Sequence, residues 1–231
     1  MVVSASLAAG RRATVQVPFP SVSLVPAARE LRYKALPPCS RTAPAAMSAP
    51  TLTSSRLILR PWRESDLPAF ASMNADSRVM QFFPATLSRQ DSDALAARIR
   101  ARMQEHPFGF WAVEIPGVAD FAGFVGLSIP AFEAHFTPCM EIGWRLAAPF
   151  WGCGYATEAA TAALDHAFHT LKVPEVVAFT ATSNLPSRAV MERLGMLHDA
   201  DEDFDHPAVP EGHALRRHVL YRIKKQGWRP R

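Results

Sequence analysis

The stretch that most restricts this chain runs from Met140 to Leu171. A short apolar run, Met140–Leu146 (MEIGWRL), leads into a loop with two glycines around a cysteine, Gly152-Cys153-Gly154. An apolar stripe follows. Ala156, Ala159, Ala160, Ala163, Leu164, Ala167, Phe168 and Leu171 recur at i, i+3, i+4 and i+7, which predicts a helix with one strongly apolar face. Most of that face is alanine, so the helix can lie close to a sheet. A glycine loop that opens a helix is a place to hold phosphate, because the first-turn N–H groups point outward without partners.

The flanking pattern sets this unit in a mixed α/β domain. Leu57–Trp62 (LILRPW) reads as a strand stopped by Pro61, and Ser65-Asp66-Leu67-Pro68 opens a short helix with proline in its first turn. Ser88-Arg89-Gln90-Asp91 has capping-box spacing, and Leu95, Ile99 and Met103 repeat every fourth residue, so Arg89–Glu105 is predicted to be an amphipathic helix. Phe108–Ile115 and Phe121–Ile129 are rich in aromatic and β-branched residues and are separated by Pro116-Gly117, the pattern of an antiparallel hairpin. Val176–Thr180 reads as a buried strand, and Asn184-Leu185-Pro186-Ser187 starts a helix that Gly195 ends. Phe204–His218 reads as a proline-punctuated loop and Val219–Ile223 as the last strand. One domain over residues 52–228, without internal repeat, is expected.

Charge and cysteine content narrow the function classes. The net charge of +4 is uneven: residues 1–47 hold six basic residues against Glu30 alone, a net +5, while the remainder holds nineteen basic and twenty acidic residues. The basic character belongs to a tail, and the body offers no electrostatic argument for a nucleic-acid surface. No stretch has the run of about 18 apolar residues that a membrane span needs. Cys39, Cys139 and Cys153 form neither a CxxC pair nor an even-numbered framework, which points to a reducing compartment. The tail, residues 1–47, is rich in Ala, Ser, Pro and Arg and keeps no period, so disorder is expected there. It reads either as an organelle transit peptide or as residues ahead of a true start at Met47. The matching expectation for location is the cytoplasm, or a mitochondrion or plastid if the tail is a transit peptide.

The familiar glycine loops fail on the residues that carry their mechanism. A Walker loop needs a lysine after its last glycine, and none follows Gly154. A dinucleotide fingerprint needs a third glycine where Thr157 stands and an acid after the next strand, where VVAFTATSN has none. What remains is a backbone cradle for a pyrophosphate, or an ordinary strand–helix turn. The block EIGWRLAAPFWGCGYATEA, followed further on by NLPSRAVMERLGM, resembles the GNAT superfamily of acyl-CoA-dependent N-acetyltransferases. Within it the block is similar to the branch named after the RimJ and RimL ribosomal-protein acetyltransferases. The resemblance extends from about Leu52 to Tyr221 and includes the opening SRLILRPWRESDL.

That resemblance implies a central, mostly antiparallel sheet of six to seven strands flanked by helices. Glu141–Leu146 would splay from Val176–Thr180 to hold acetyl-CoA. Backbone N–H groups near Leu146 and Ala147 would meet the pantetheine amide or the acetyl carbonyl. The loop Phe150, Trp151, Gly152, Cys153, Gly154 and Tyr155, continued by Ala156 and Thr157, would hold the pyrophosphate, and Asn184 the pantetheine arm. Glu141 is the expected general base; a solvent-facing charge at a strand start is the bland alternative. Two positions depart from the family: Pro149 stands where Gln or Arg often precedes the loop, and Met191 where many members carry a general-acid tyrosine. Ser187 then becomes the candidate to approach the coenzyme sulfur, against the alternative of a first-turn serine bonding helix backbone. Glu158 is read as a partner of the helix dipole or of the neighbouring strand. Cys153 has no His or Asp nearby in sequence to form a nucleophilic set.

The stretch HDADEDFDHPAVPEGHALRRH invites a metal reading that its spacing refuses. Counted from Asp199, Phe204 and Pro210 fall where a calcium loop needs Gly and Glu, and the histidines match no zinc pattern, so no metal is expected. In the family this region lines the acceptor side. Asp203, Asp205, His206 and His213 are therefore the expected contacts for a cationic amine, with His206 or His213 as alternative proton acceptors. The reading is an acetyl-CoA-dependent N-acetyltransferase acting on a primary amine, either a small molecule or a protein N-terminus, as a monomer or homodimer. A non-catalytic acyl-CoA sensor and a nucleotide-binding protein are the competing readings. If the tail is dispensable, a chain beginning at Met47 retains the melting temperature and activity of the full chain. A large drop in melting temperature on deletion would show the tail packed on the core.

Overall fold

The structure is a computed structural model and describes residues 48–229; the expectations for the N-terminal tail lie outside them. Along the chain come β1 (Leu52–Thr53), β2 (Ile58–Arg60), α1 (Leu67–Ala75), α2 (Arg89–Glu105), β3 (Phe110–Ile115), β4 (Ala119–Ser128) and β5 (Glu141–Leu146). Then follow α3 (Tyr155–Asp165), β6 (Glu175–Ala181), α4 (Leu185–Arg193), β7 (Leu197–His198), β8 (Phe204–Asp205) and β9 (Arg217–Lys224). The strands form one sheet in the order β1-β2-β3-β4-β5-β6-β9-β7, with β8 also paired to β9. Every pairing is antiparallel except β5 with β6. The sheet has nine strands where six to seven were expected. The extra ones are the two-residue strands β1, β7 and β8, too short for alternation to reveal; β8 and the start of β9 lie within the predicted loop. Among the described residues no helix is long and apolar enough to cross a membrane.

Side chains alternate across the sheet, so its two faces take different helices. On one face Phe124 and Trp62 meet Phe70 of α1, with ring centroids 6.0 and 4.8 Å apart. On the other, Trp111 meets His166, just beyond α3, at 5.7 Å. Ala159, Ala160 and Ala163 are fully buried, so α3 lies flat against β4 and β5 as its small-residue stripe predicts. A single wide turn over His166–Thr170 ends that helix, closed by Leu171 N–H on the His166 carbonyl at 3.0 Å.

A buried ion network ties β2 to the rest. The Arg60 guanidinium donates to both Asp66 carboxylate oxygens (2.8 and 2.9 Å), to Glu114 Oε2 (2.6 Å) and to the Asp120 carbonyl (2.6 Å). Arg60 is 4% exposed and Asp66 1%. Asp66→Ala leaves Glu114 as the remaining partner of a buried cation. The loss is expected to be about 3 kcal/mol, the low end for breaking a buried pair, read from urea unfolding.

Candidate active site

The site begins where a ladder stops. β5 and β6 are bridged at one point, Glu141 opposite Val177, where Val177 N–H bonds the Met140 carbonyl at 2.9 Å. Beyond it the two strands diverge. Ala147 N–H donates to the Ala122 carbonyl at 2.9 Å, and this fixes the alternation along β5. Glu141, Gly143, Arg145 and Ala147 bond toward β4, while Trp144 and Leu146 turn their N–H groups into the gap. The amide expected from Ala147 is thus already committed, and those of Trp144 and Leu146 are the ones that face the gap. Trp151 Nε1 donates to the Leu146 carbonyl at 2.8 Å and closes the outer end of the strand.

The glycine loop continues from there. Phe150 and Trp151 N–H groups are held by the carbonyls of Ala147 and Ala148, at 3.0 and 3.2 Å. The first amide to bond inside α3 is that of Glu158, to the Gly154 carbonyl at 3.0 Å. Among the described residues the amides of Gly152, Cys153, Gly154, Tyr155, Ala156 and Thr157 have no acceptor. Gly152 at φ +75° and Gly154 at +81° bend this run into the concave form that binds anions. Arg56 lies beside it, its guanidinium 4.7 Å from the Tyr155 ring centroid and paired with Glu158 at 2.6 Å. Glu158 also accepts from Ser54 Oγ (2.8 Å), Ser55 Oγ (3.0 Å) and Arg56 N–H (2.8 Å), so it fastens the turn between β1 and β2 to α3.

Gap and loop open into one cavity of about 1490 Å³, more than the ~300–1,000 Å³ of a pocket for one drug-sized ligand. Its wall includes Glu141, Leu146, Asn184, Ser187, His206 and the loop from Phe150 to Thr157 except Cys153. Ala147, Cys153, Asp203, Asp205 and His213 are not on that wall. Asp203 accepts from His198 Nε2 at 2.8 Å, Asp205 pairs with Arg216 and Arg217 at 3.4 and 3.5 Å, and His213 is exposed with its Nδ1 bonded to Leu215 N–H at 3.1 Å. The acids expected to meet a cationic amine are occupied with their own neighbours.

Glu141 lines the cavity. It stands half-buried at the vertex of the gap, and burial pushes its carboxyl up to about 7, against a 2.9 Å hydrogen bond from Ser128 Oγ that favours the charged form. Asn184 is buried and caps α4: its Oδ1 accepts from Ser187 N–H at 3.2 Å, and its Nδ2 donates to Thr180 Oγ1 at 2.8 Å. One Nδ2 proton is left over. Met191, at the tyrosine position of the family, is a buried core residue on the same wall.

Two residues without a role in the sequence analysis, His218 and Arg145, stand here beside the expected His206. His218 donates Nδ1–H to the Arg216 carbonyl at 3.0 Å, so its Nε2 carries the lone pair; burial holds the ring below its ordinary pKa. Its neighbour His206, with ring centroids 4.9 Å apart, is pushed down to about 4 by burial and then by His218. Arg145 follows Glu141 on the same face of β5, and Asn74 of α1 accepts from its Nη1 at 2.6 Å. The period of two along EIGWRL was the available signal for Arg145.

Residues 56–197 match the acetyltransferase (GNAT) domain family, and the chain belongs to that family. It is an N-acetyltransferase. The chain is 29% identical over 190 residues to FsC-acetyl coenzyme A-N(2)-transacetylase of Aspergillus fumigatus, covering 78% of each chain. Its fold is similar to a GNAT-family acetyltransferase from Bacillus anthracis, with TM-score 0.63 at 24% identity, over 76% of this chain and 99% of that one. It is also similar to Mycobacterium smegmatis RimJ in complex with CoA-disulfide, with TM-score 0.62 at 20% identity, over 77% and 88% of the two chains.

Gly154→Ala puts a Cβ into the left-handed region, at a cost of about 1–2 kcal/mol, and disturbs the run of amides. The expected result is a several-fold higher KM for acetyl-CoA with kcat retained. An unchanged KM in a folded variant removes the loop as the phosphate site.

Proposed function

We propose that the protein transfers an acetyl group from acetyl-CoA to a primary amine by direct attack on the thioester, with Glu141 as general base. The observation that supports this most is a carboxylate poised near neutrality at the vertex of a gap edged by unpaired amides. The gap accepts an extended chain along β5. The Trp144 and Leu146 amides are placed to donate to its carbonyl oxygens, including one that gains negative charge during attack. The amides from Gly152 to Thr157 suit a pyrophosphate, and they make the basic residue missing at Pro149 unnecessary.

An alkylammonium has a pKa of about 10 and must lose a proton to react. Glu141 takes it, and the freed lone pair forms the C–N bond at the thioester carbon. Collapse breaks the C–S bond, the nitrogen sheds its second proton, and the departing thiolate takes one up, relayed through the Ser187 hydroxyl on the cavity wall as the stand-in for the missing tyrosine. The resemblance to the RimJ/RimL-like branch fits a protein N-terminus or a small amine as acceptor.

Because protonated Glu141 cannot accept, kcat/KM should rise as pH passes through about 7. Ser128→Ala removes a bond that favours the charged form, so the profile should move to higher pH. Glu141→Gln should lower kcat by about 10²–10⁴-fold, the usual worth of general-base catalysis, with KM for acetyl-CoA nearly unchanged and activity recovering at high pH. Near-full turnover in Glu141→Gln, with loss in His218→Gln, would move the base to the histidine. No thiol release with any amine would favour the acyl-CoA sensor.

A further inference from the structure

Among the described residues, the cavity carries a positive charge without a counter-ion. Arg145 and Glu141 project from the same face of β5 with Gly143 between them. A side chain on Gly143 would meet Phe110 at 3.2 Å and Glu141 Oε1 at 3.8 Å, so its absence keeps the floor between the two charges open. Asn74 fixes the guanidinium: it is fully buried, accepts from Arg145 Nη1 and donates its own Nδ2–H to Ser92 of α2 at 3.2 Å. Arg145 also lies over Phe83, 4.1 Å from the ring centroid, and Phe124, at 5.3 Å.

Among the described residues no carboxylate comes within 4.0 Å of Arg145, and its buried Nε–H has no hydrogen-bond partner. Arg60, with two carboxylates around it, shows how this chain satisfies a buried arginine elsewhere. Burial pulls the Arg145 pKa down to about 10, so the charge persists at neutral pH. A desolvated cation is costly unless something pairs with it, and the guanidinium fork matches a carboxylate. Arg98, Arg102 and His106 line the same cavity, and Asp91 joins Glu141 as its acids.

We propose that Arg145 anchors a carboxylate carried by the acceptor, so that the acceptors are amines bearing a carboxylate, laid across Gly143 with the amine toward Glu141. Strand geometry puts the two anchoring Cα atoms about 13 Å apart, room for an amino-acid-sized molecule and the two side chains that hold it. The placement of the amine rests on Glu141 being the base; the anion site does not.

The test measures equilibrium binding to the full chain without acetyl-CoA. The probes are amino acids and dipeptides, each compared with its C-terminal carboxamide. At least one carboxylate should bind tenfold or more tighter than its carboxamide. Arg145→Gln should abolish that preference and Arg145→Lys should keep part of it. Where turnover occurs, KM for the acceptor should follow the same ratio, with KM for acetyl-CoA unchanged. If no carboxylate binds tighter than its carboxamide, or if folded Arg145→Gln keeps the preference, the proposal is overturned. If Arg145→Gln does not fold, a Lys variant without any change in preference overturns it. A preference for succinyl-CoA over acetyl-CoA that depends on Arg145, with none among acceptors, puts the anion on the acyl group and also overturns it. Carboxylate binding through Arg145 without thiol release supports the anchor while refuting acetyl transfer.

Discussion

A parallel pair that is bridged once, at Glu141 and Val177, and then opens is the constraint from which the site follows. Backbone donors are expensive to leave unpaired when buried, so a sheet that opens in its middle keeps those donors only beside a space that something can fill. The antiparallel register with β4 decides which amides are left, and α3, flat on alanines, supports the strand from behind. Glu141 belongs to the same construction. It sits at the last rung, where the neighbouring strand still shields it from water, and that shielding moves its carboxyl toward neutrality.

The two ends of the cavity differ in what they are made of. The loop end is main chain: a run of amides shaped by two left-handed glycines. The other end is side chains: Glu141 and Arg145 on β5, the neutral imidazoles of His206 and His218, and rings such as Phe83 and Phe179. The acidic residues near that end in sequence are turned to His198, Arg216 and Arg217. Its charge is therefore set by arginines, the opposite of what counting acids along the chain implies.

Much of the fold was legible because it rests on periodicity. The alanine stripe announced a close-packed α3, Pro116-Gly117 announced the central hairpin, and Ser88 capped α2 through Asp91 as its spacing implied. Strands of two residues hold no period, so β1, β7 and β8 escaped notice. The glycine loop was visible, but which of its amides are free was not, because Phe150 and Trp151 spend theirs on a local turn that only coordinates reveal. Arg145 could be placed on the face of Glu141 from the sequence. That no carboxylate among the described residues approaches it is a fact of three-dimensional neighbourhood, and no one-dimensional pattern encodes it.

Main-chain donors have a consequence for how such an enzyme diversifies. An amide N–H is present whatever the side chain, provided the backbone keeps its path, so most substitutions cannot erase it. The opposing wall, built from residues of α2 and of the segment that joins it to α1, enjoys no such protection. A replacement there changes the shape or charge that the cavity presents. If the amide run holds the acetyl donor as proposed, lineages descended from this architecture can exchange acceptors by point mutation while keeping that hold nearly intact.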